Sequence, residues 1–129
     1  MSDDIGKADP SAEPYLQVRT FAFACRVVKM CQVLDQGGAG GRMLAAQLMR
    51  TGAAIGETID ESLAVSQSPE YWDGVAAASK RAREARYWLR LVVDSDIMPE
   101  SSLDGLLEEA SQLSDVLTDI LRNSKRNGG

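Results

Sequence analysis

The sequence predicts an all-α protein: an antiparallel, up-down-up-down four-helix bundle in a single domain. Four stretches place apolar residues at every third or fourth position, which is the spacing of one helix face. No stretch alternates apolar and polar residues in the way that a half-buried strand does. Short connectors rich in glycine, serine or aspartate separate the four stretches, and short connections make consecutive helices antiparallel neighbours. We therefore expect the bundle to span residues 15–126.

The first part of the chain predicts an acidic tail followed by a helix. Residues 1–14 carry four acidic residues, two prolines and one lysine, so we expect them to form a flexible tail. The first helix is predicted over residues 15–34. Its core face is expected to be one broad apolar stripe, whose members are Phe21, Ala24, Cys25, Val28, Cys31 and Leu34. Both cysteines should then be buried, and about 9 Å of axial rise separates them, too much for a mutual disulfide.

Two glycines mark the second helix, which is predicted over residues 41–65 after a glycine-rich turn. Gly52 and Gly56 each cost a helix about 1 kcal/mol relative to alanine, so the close approach of a neighbouring helix should compensate for them. The third helix is predicted over residues 69–94, because Ser68 is a good N-cap and Pro69 suits the first helical position. We expect the alanines of the third helix to face the two glycines, since small residues let helices approach closely.

The fourth helix has the strongest apolar stripe of the four. It is predicted over residues 100–125, and residues 127–129 should fray because two of them are glycine. The stripe consists of Leu103, Leu106, Leu107, Ala110, Leu113, Leu117, Ile120 and Leu121.

The composition argues against an enzyme. The chain has no histidine, which is the commonest general base and transition-metal ligand. The glycine run that ends at Gly41 is followed by Arg42 and Met43, rather than by the Lys-Ser or Lys-Thr pair of a phosphate-binding loop. No apolar run is long enough to span a membrane and no signal peptide opens the chain. We therefore expect a cytoplasmic protein that binds no cofactor and no membrane.

Charged residues on the second and third helices admit two interpretations. The first is a structural polar core made of Gln47, Arg50, Glu57, Glu61, Lys80 and Glu84, in which a cation of the third helix pairs with Glu61. The second is a basic surface for RNA or DNA phosphates, with contacts from Arg42, Lys80, Arg81, Arg83 and Arg86. The third helix favours the first interpretation, because its five cations are nearly balanced by Glu70, Asp73, Glu84 and Asp94, which leaves a net charge of only +1 over residues 69–94. Phosphate binding needs an uncompensated positive field.

A carboxylate metal site is a third alternative, although we expect none. Its ligands would come from Glu57, Glu61, Glu84, Glu108 or Glu109. Carboxylates on a helical bundle more often pair with arginine or face water.

Two segments resemble a known family. Gln47-Leu-Met-Arg50-Thr-Gly52-Ala-Ala-Ile55-Gly56, followed by Ile59 and Glu61, is similar to the second-helix signature of the bacterial "four helix bundle protein" family. Lys80, Glu84 and the segment from Tyr87 to Leu91 resemble the second half of that signature. The family includes proteins encoded in intervening sequences of large-subunit ribosomal RNA genes.

The resemblance implies an antiparallel bundle that assembles into a ring-shaped homopentamer. One member, the accessory variability protein of diversity-generating retroelements, is a basic pentamer that binds nucleic acid and a reverse transcriptase. The acidic balance of this chain differs from that relative, and Thr58 and Ala54 depart from the usual residues of the signature.

These observations together favour a non-catalytic, oligomeric helical-bundle protein that acts as a binding or scaffold module. We expect the chain to associate with itself, as a pentamer if the resemblance holds, through contacts that include Tyr87, Trp88 and Leu91. Four wide apolar stripes exceed what one small bundle needs to bury. Another protein as partner stays an alternative, and so does RNA or DNA at the basic face of the third helix.

Overall fold

Four α-helices form the bundle that the sequence predicts. A computed structural model gives the structure of residues 13–66, 68–103 and 105–128. The helices are α1 (Glu13–Leu34), α2 (Gly38–Leu63), α3 (Pro69–Asp94) and α4 (Leu106–Gly128), and a short 3-10 turn, Glu100–Leu103, precedes the last. Each helix packs on the next, and α4 returns to α1, so the up-down-up-down arrangement is confirmed. The predicted acidic tail lies outside the described residues, apart from its last two, which begin α1.

The helix boundaries depart from the sequence prediction at two glycines. The second helix begins at Gly38, not at residue 41, because Gly38 takes a positive φ of 86° and turns the chain into the helix at once. The fourth begins at Leu106, not at residue 100, because Gly105 takes a φ of 77° that no helix continues through. At the far end α4 runs to Gly128, into the segment for which the sequence predicts fraying.

The third helix has the start that its sequence predicts. The Ser68 hydroxyl accepts a hydrogen bond from the Tyr71 backbone N–H at 3.3 Å, and Pro69 occupies the first turn, where no helical N–H is needed. This cap fixes the first residue of α3. Because the helix has a regular number of residues per turn, its starting point also sets the face on which each later residue lies.

Aliphatic side chains fill the core, with one aromatic ring from α1. The largest side chains that are fully buried are Phe23, Val27, Leu34, Leu48, Ile55, Val75, Leu89, Val92, Leu103, Leu106, Leu113 and Leu117. The polar groups in this core are hydroxyls. Thr20, Thr51 and Ser62 each donate to the carbonyl four residues earlier in their own helix at 2.8 Å. No buried side-chain N or O atom among the described residues lacks a partner.

The two glycines of α2 face α1, not the alanines of α3 as predicted. A Cβ on Gly52 would lie 3.1 Å from the Val27 side chain, and one on Gly56 would lie 3.4 Å from the Thr20 carbonyl. The α1–α2 pair is therefore close enough to leave little room for side chains at these positions. On the other side of α2, the tightest approach is Gly74 of α3 against Ser62, where a Cβ would lie 1.9 Å from the hydroxyl oxygen.

A bidentate ion pair joins α1 to α4. Arg19 donates from Nε to Glu109 Oε2 at 2.7 Å and from Nη2 to Oε1 at 3.0 Å, and its hydrogen bond to Glu109 raises the pKa of Arg19 above its ordinary value. Both side chains are less than one-fifth exposed, so solvent screens the pair only in part.

Replacing Arg19 by lysine should lower the free energy of unfolding by about 1 kcal/mol, because lysine cannot make both hydrogen bonds. Urea unfolding followed by circular dichroism measures this. The matched control is Arg122→Lys, since Arg122 meets Asp119 at 3.6 Å with both side chains 64% exposed. We expect that variant to stay within about 0.5 kcal/mol of the wild type. Equal losses for both variants would contradict the role of the bidentate geometry.

Candidate subunit interface

An apolar groove runs along the outer side of the α1–α2 pair. One end of it, called here the acidic end, encloses about 740 Å³ and is lined by Gln17, Val18, Phe21, Ala22, Ala24, Ala53, Gly56, Glu57 and Asp60. The other end, called the Arg42 end, encloses about 290 Å³ and is lined by Cys31, Gln32, Asp35, Arg42, Ala45, Ala46 and Met49. Both ends together are the α1–α2 groove. Its charged residues lie at the two ends.

Small residues of α2 form the floor of the groove and large residues of α1 form its wall. Ala53 and Gly56 leave the floor open, while Val18 and Phe21 stand on the wall, each 69% exposed. Cys25 and Val28 continue the wall toward the Arg42 end, since helical spacing puts them on the side of Phe21. Apolar residues exposed in a continuous row mark a contact surface rather than a chance distribution.

The predicted core face of α1 is therefore wrong for most of its members. Phe21 and Cys25 are exposed, and Val28 is 36% exposed, whereas Cys31 and Leu34 are buried as expected. The buried face is instead made of Leu16, Thr20, Phe23, Val27, Met30, Cys31 and Leu34. The helix therefore has two apolar stripes. One is buried in the core, and the other, which includes Phe21, Cys25 and Val28, faces the groove.

The two cysteines differ in their chemistry because of this placement. Burial, with a smaller contribution from the charge of Asp35, raises the pKa of Cys31 from 9.0 to about 11, and its Sγ contacts the Ala45 carbonyl at 3.5 Å. Cys25 lies exposed on the groove wall. Cys31 thus has very little thiolate at neutral pH, and no reagent reaches it without opening the α1–α2 pair.

A thiol reagent at about pH 8 should modify Cys25 rapidly and Cys31 only after unfolding, because the thiolate is the reacting form. Counting modified thiols by mass spectrometry checks this, with Cys25→Ser as the control that should show no rapid reaction. Rapid modification of both thiols in the folded protein would contradict the burial of Cys31. If the groove is covered in an assembly, modification of Cys25 should also slow as the protein concentration rises.

The outer side of α3 carries a second surface, called here the α3 face. It consists of Lys80, Arg83, Arg86, Tyr87, Arg90 and Leu91, all of them exposed. Tyr87 is 60% exposed and meets the half-buried Trp88 edge to face, with ring centroids 5.3 Å apart. Of the predicted subunit contacts, Tyr87 and Leu91 thus stand on the surface, while Trp88 packs against the core from its edge.

The predicted polar core does not form. Arg50, Glu57, Glu61 and Lys80 are exposed, while Gln47 and Glu84 are half-buried. Arg50 donates to Gln47 of its own helix. Arg81, one of the residues predicted to contact nucleic acid, pairs with Glu84 one turn away at 2.8 Å. Burying these charged side chains would cost more free energy than burying hydroxyls that hydrogen-bond to their own helix. Hydroxyls therefore occupy the interior instead.

The pairing of Glu61 with a cation of the third helix is also wrong. Glu61 is exposed, and no ion pair among the described residues joins α2 to α3. The third-helix cations point away from α2, except Arg81. Of the residues predicted to contact nucleic acid, Lys80, Arg83 and Arg86 share the α3 face, Arg81 lies beside it, and Arg42 lies apart in the groove.

Sequence reasoning missed the groove because it assigned a single apolar stripe to the first helix. The signal was present, since α1 has apolar residues around most of its circumference. Neither a metal site nor a membrane span has support in the described part of the chain. No group of three acidic or cysteine side chains there is placed to hold a metal ion, and no described helix is long and apolar enough to cross a membrane.

Comparison with known proteins identifies a family for this chain and a solved structure with a similar fold. A family model described as 23S rRNA-intervening sequence protein matches residues 17–119. The chain is similar to a crystal structure of a protein of unknown function from the S23 ribosomal protein family of Bacteroides thetaiotaomicron VPI-5482, with a TM-score of 0.74 and 22% identity. That match covers 83% of this chain and 98% of the other, and at this identity it shows the fold alone. No curated protein matches the chain.

Proposed function

Because this chain belongs to the 23S rRNA-intervening sequence protein family, we propose that it acts in the cytoplasm as a non-catalytic, self-associating binding or scaffold module. The observation behind the proposal is the α1–α2 groove, whose wall exposes Val18 and Phe21 by 69% each. A monomer that kept this row of apolar side chains in water would lose the free energy that burying them provides. The number of subunits that we propose is five, which is the number that the family resemblance implies.

The size of the groove favours a helix as the element that covers it. Exposed wall residues follow α1 for several turns, from Val18 to Val28, and exposed floor residues follow α2 from Ala46 to Ala53, where the half-buried Gly56 continues the floor. A helix laid along the groove would contact both rows at once, in the way that amphipathic helices occupy hydrophobic grooves. Every described helix of this protein has the length to do so, which makes a second copy a suitable partner.

Placing a charge on the groove wall should abolish the self-association. We expect Val18→Arg to give the mass of a single chain, because association would bury the new guanidinium against the apolar side chains of the groove wall. The matched control is Val33→Arg, another valine of α1 that is 57% exposed but lies on the side of Met98 and Leu103, away from the groove. Light scattering gives the mass of each variant at micromolar concentration. An oligomer that survives Val18→Arg, or one that Val33→Arg removes equally, would contradict the proposed surface.

A second candidate function is nucleic-acid binding at the α3 face. The observation that favours it is that Lys80, Arg83, Arg86 and Arg90 are exposed and form no ion pair within the described residues. Arg83 donates to the Ser79 hydroxyl at 3.0 Å, which leaves its charge uncompensated. Four uncompensated cations along one helix could follow a phosphate backbone.

Structured RNA should then bind at low salt, and its affinity should fall steeply as salt is added. Lys80→Glu with Arg83→Glu should remove the binding, whereas Arg122→Glu, an exposed arginine on α4, should not. Filter binding or fluorescence anisotropy measures both effects. No binding by the wild-type protein at low salt would reject this second candidate.

A further inference from the structure

The acidic end of the α1–α2 groove carries carboxylates with which no cation of the described residues forms an ion pair. Glu57 and Asp60 lie at the acidic end, and exposed Glu61 stands beside them. Asp60 accepts a hydrogen bond from Gln17, but no cation of the described residues forms an ion pair with any of the three carboxylates. Arg42 lies at the opposite end. Asp35 lies beside Arg42 there, so the net charge that a partner must match is at the acidic end, and a partner that fits brings positive charge to that end.

The α3 face has the complementary pattern. Its cations, Lys80, Arg83, Arg86 and Arg90, surround Tyr87 and Leu91 in the middle and last part of the helix. The first turns of α3 carry exposed acidic residues instead, Glu70 and Asp73, and its last residue is the exposed Asp94. The exposed surface of the helix is therefore basic from Lys80 to Arg90. Apolar side chains at the centre with four cations around them match an apolar groove that ends in carboxylates.

We infer that the α1–α2 groove of one subunit receives the α3 face of a second copy of this chain, as a head-to-tail contact. The inference rests on the proposed self-association and specifies which two surfaces meet. Each copy then presents one groove and one α3 face, so that contacts continue from copy to copy and close into a ring where the rotation allows it.

The spacing of the charges supports one orientation, with the incoming α3 parallel to α2. The axial rise from Arg42 to Asp60 is about 27 Å and that from Asp73 to Arg90 is about 26 Å. Aligned in parallel, Asp73 meets Arg42 while the cations of the second half of α3 meet the acidic end. The opposite orientation would place Asp73 against the carboxylates.

The same alignment puts the largest side chain of the α3 face over the smallest residue of the groove floor. With Asp73 level with Arg42, Tyr87 comes level with Gly56, beside the wall at Phe21. A glycine in the floor gives the ring a place to enter, and aromatic rings in such pockets dominate the energetics of interfaces. The register therefore satisfies shape and charge together.

Symmetric contacts are disfavoured by the same charges. Two α3 faces packed on each other would oppose four cations with four cations, and like charges across an interface cost several kcal/mol by typical magnitudes. Two grooves packed across a two-fold axis would bring Glu57 and Asp60 to the Arg42 end, where Asp35 already offsets the arginine. The head-to-tail contact instead brings the cations of the α3 face to the carboxylates of the acidic end.

The test uses two full-length variants that each block one of the two surfaces. Ala53→Arg puts a long cation on the groove floor, where it repels the cations of the α3 face. Tyr87→Glu puts a carboxylate where the α3 face meets the acidic end. Both residues are exposed, so the folded chain should tolerate either change, and circular dichroism checks this. The matched control is Tyr15→Glu, because Tyr15 is 63% exposed and does not line the groove.

Each blocked variant alone should sediment as a single chain, with an association Kd raised by about tenfold or more. An equal mixture of the two should associate again, because the intact α3 face of the Ala53→Arg variant meets the intact groove of the Tyr87→Glu variant. Tyr15→Glu should keep the wild-type mass. An interface in which one of these surfaces packs on its own copy cannot be restored by mixing, since it needs that surface intact on both partners.

Two results would overturn the inference without touching the proposed function. They are a wild-type mass for Tyr87→Glu and a mixture of the two variants that stays monomeric. A wild-type protein that is itself monomeric would instead reject the proposed function, on which the inference rests.

Discussion

Replacing Phe23 by alanine should lower the free energy of unfolding by about 3–5 kcal/mol, whereas the same substitution at Phe21 should leave the stability of the single chain nearly unchanged. The two phenylalanines stand two residues apart on α1, but Phe23 is 1% exposed in the core and Phe21 is 69% exposed on the groove wall. Truncating the buried ring removes its transfer free energy and leaves a cavity. Truncating the exposed ring does neither within one chain.

The pair of variants also separates folding from assembly. Urea unfolding should be measured at a protein concentration low enough to dissociate the oligomer, because association stabilises the folded chain by mass action. Under those conditions Phe21→Ala should match the wild type, and at higher concentration it should associate more weakly. If Phe21→Ala destabilises the isolated chain as much as Phe23→Ala does, the assignment of the two stripes of α1 is wrong.

Gly41→Ala should destabilise the protein by about 3 kcal/mol, although alanine is the better helix former. A Cβ at this position would lie 2.3 Å from the Leu34 carbonyl oxygen, far inside van der Waals contact. The carbonyl belongs to the backbone and the position of the Cβ is fixed by the backbone, so no side-chain rotation relieves the clash. The first turn of α2 would have to move away from the last turn of α1.

The neighbouring glycine is the control. A Cβ on Gly40 would meet only the Ile97 side chain, at 3.9 Å, which is an ordinary contact. Gly40→Ala should therefore keep or raise the stability, by up to about 1 kcal/mol, because it reduces the freedom of the unfolded chain. Thermal unfolding of the two variants under identical conditions gives the comparison. Equal midpoints would contradict the close approach of α1 and α2 at Gly41.

The fold was predictable because its signals are local. Helical periodicity identified four helices, and the cap at Ser68 located the start of α3, since a serine before a proline acts on its own turn. The family resemblance, which depended on the segments around Gly52 and Trp88, is confirmed by the family match. The α4 boundary was missed because Gly105 takes a positive φ, a property that the apolar stripe around it concealed.

The neighbour of each face was not predictable in the same way. Gly52 and Gly56 were expected against the alanines of α3 and lie against Val27 and Thr20 of α1, because periodicity gives the face of a helix but not which helix covers it. The first helix presented the same difficulty. With two apolar stripes available, only the three-dimensional packing decides which is core, and Phe23 proved to be inside rather than Phe21.

The ion pairs were the least accessible to sequence reasoning. Arg19 and Glu109 lie ninety residues apart and form the part-buried pair between α1 and α4. The clustered cations of α3 suggested pairs with α2 that do not exist, because helical geometry directs Lys80 and Arg83 outward. Those unpaired cations, and the unpaired carboxylates beside the groove, are now the main reason to expect that two copies of the chain meet.

Sedimentation equilibrium of the full chain across a dilution series tests the central claim most directly. The claim is that the α1–α2 groove is a subunit contact, and it predicts a mass that is a multiple of the 13.9 kDa chain, five chains by the family resemblance, that falls toward one chain on dilution. Cys25 should become more reactive over the same dilution. A mass of 13.9 kDa at every concentration up to the high micromolar range, with constant Cys25 reactivity, would contradict the claim.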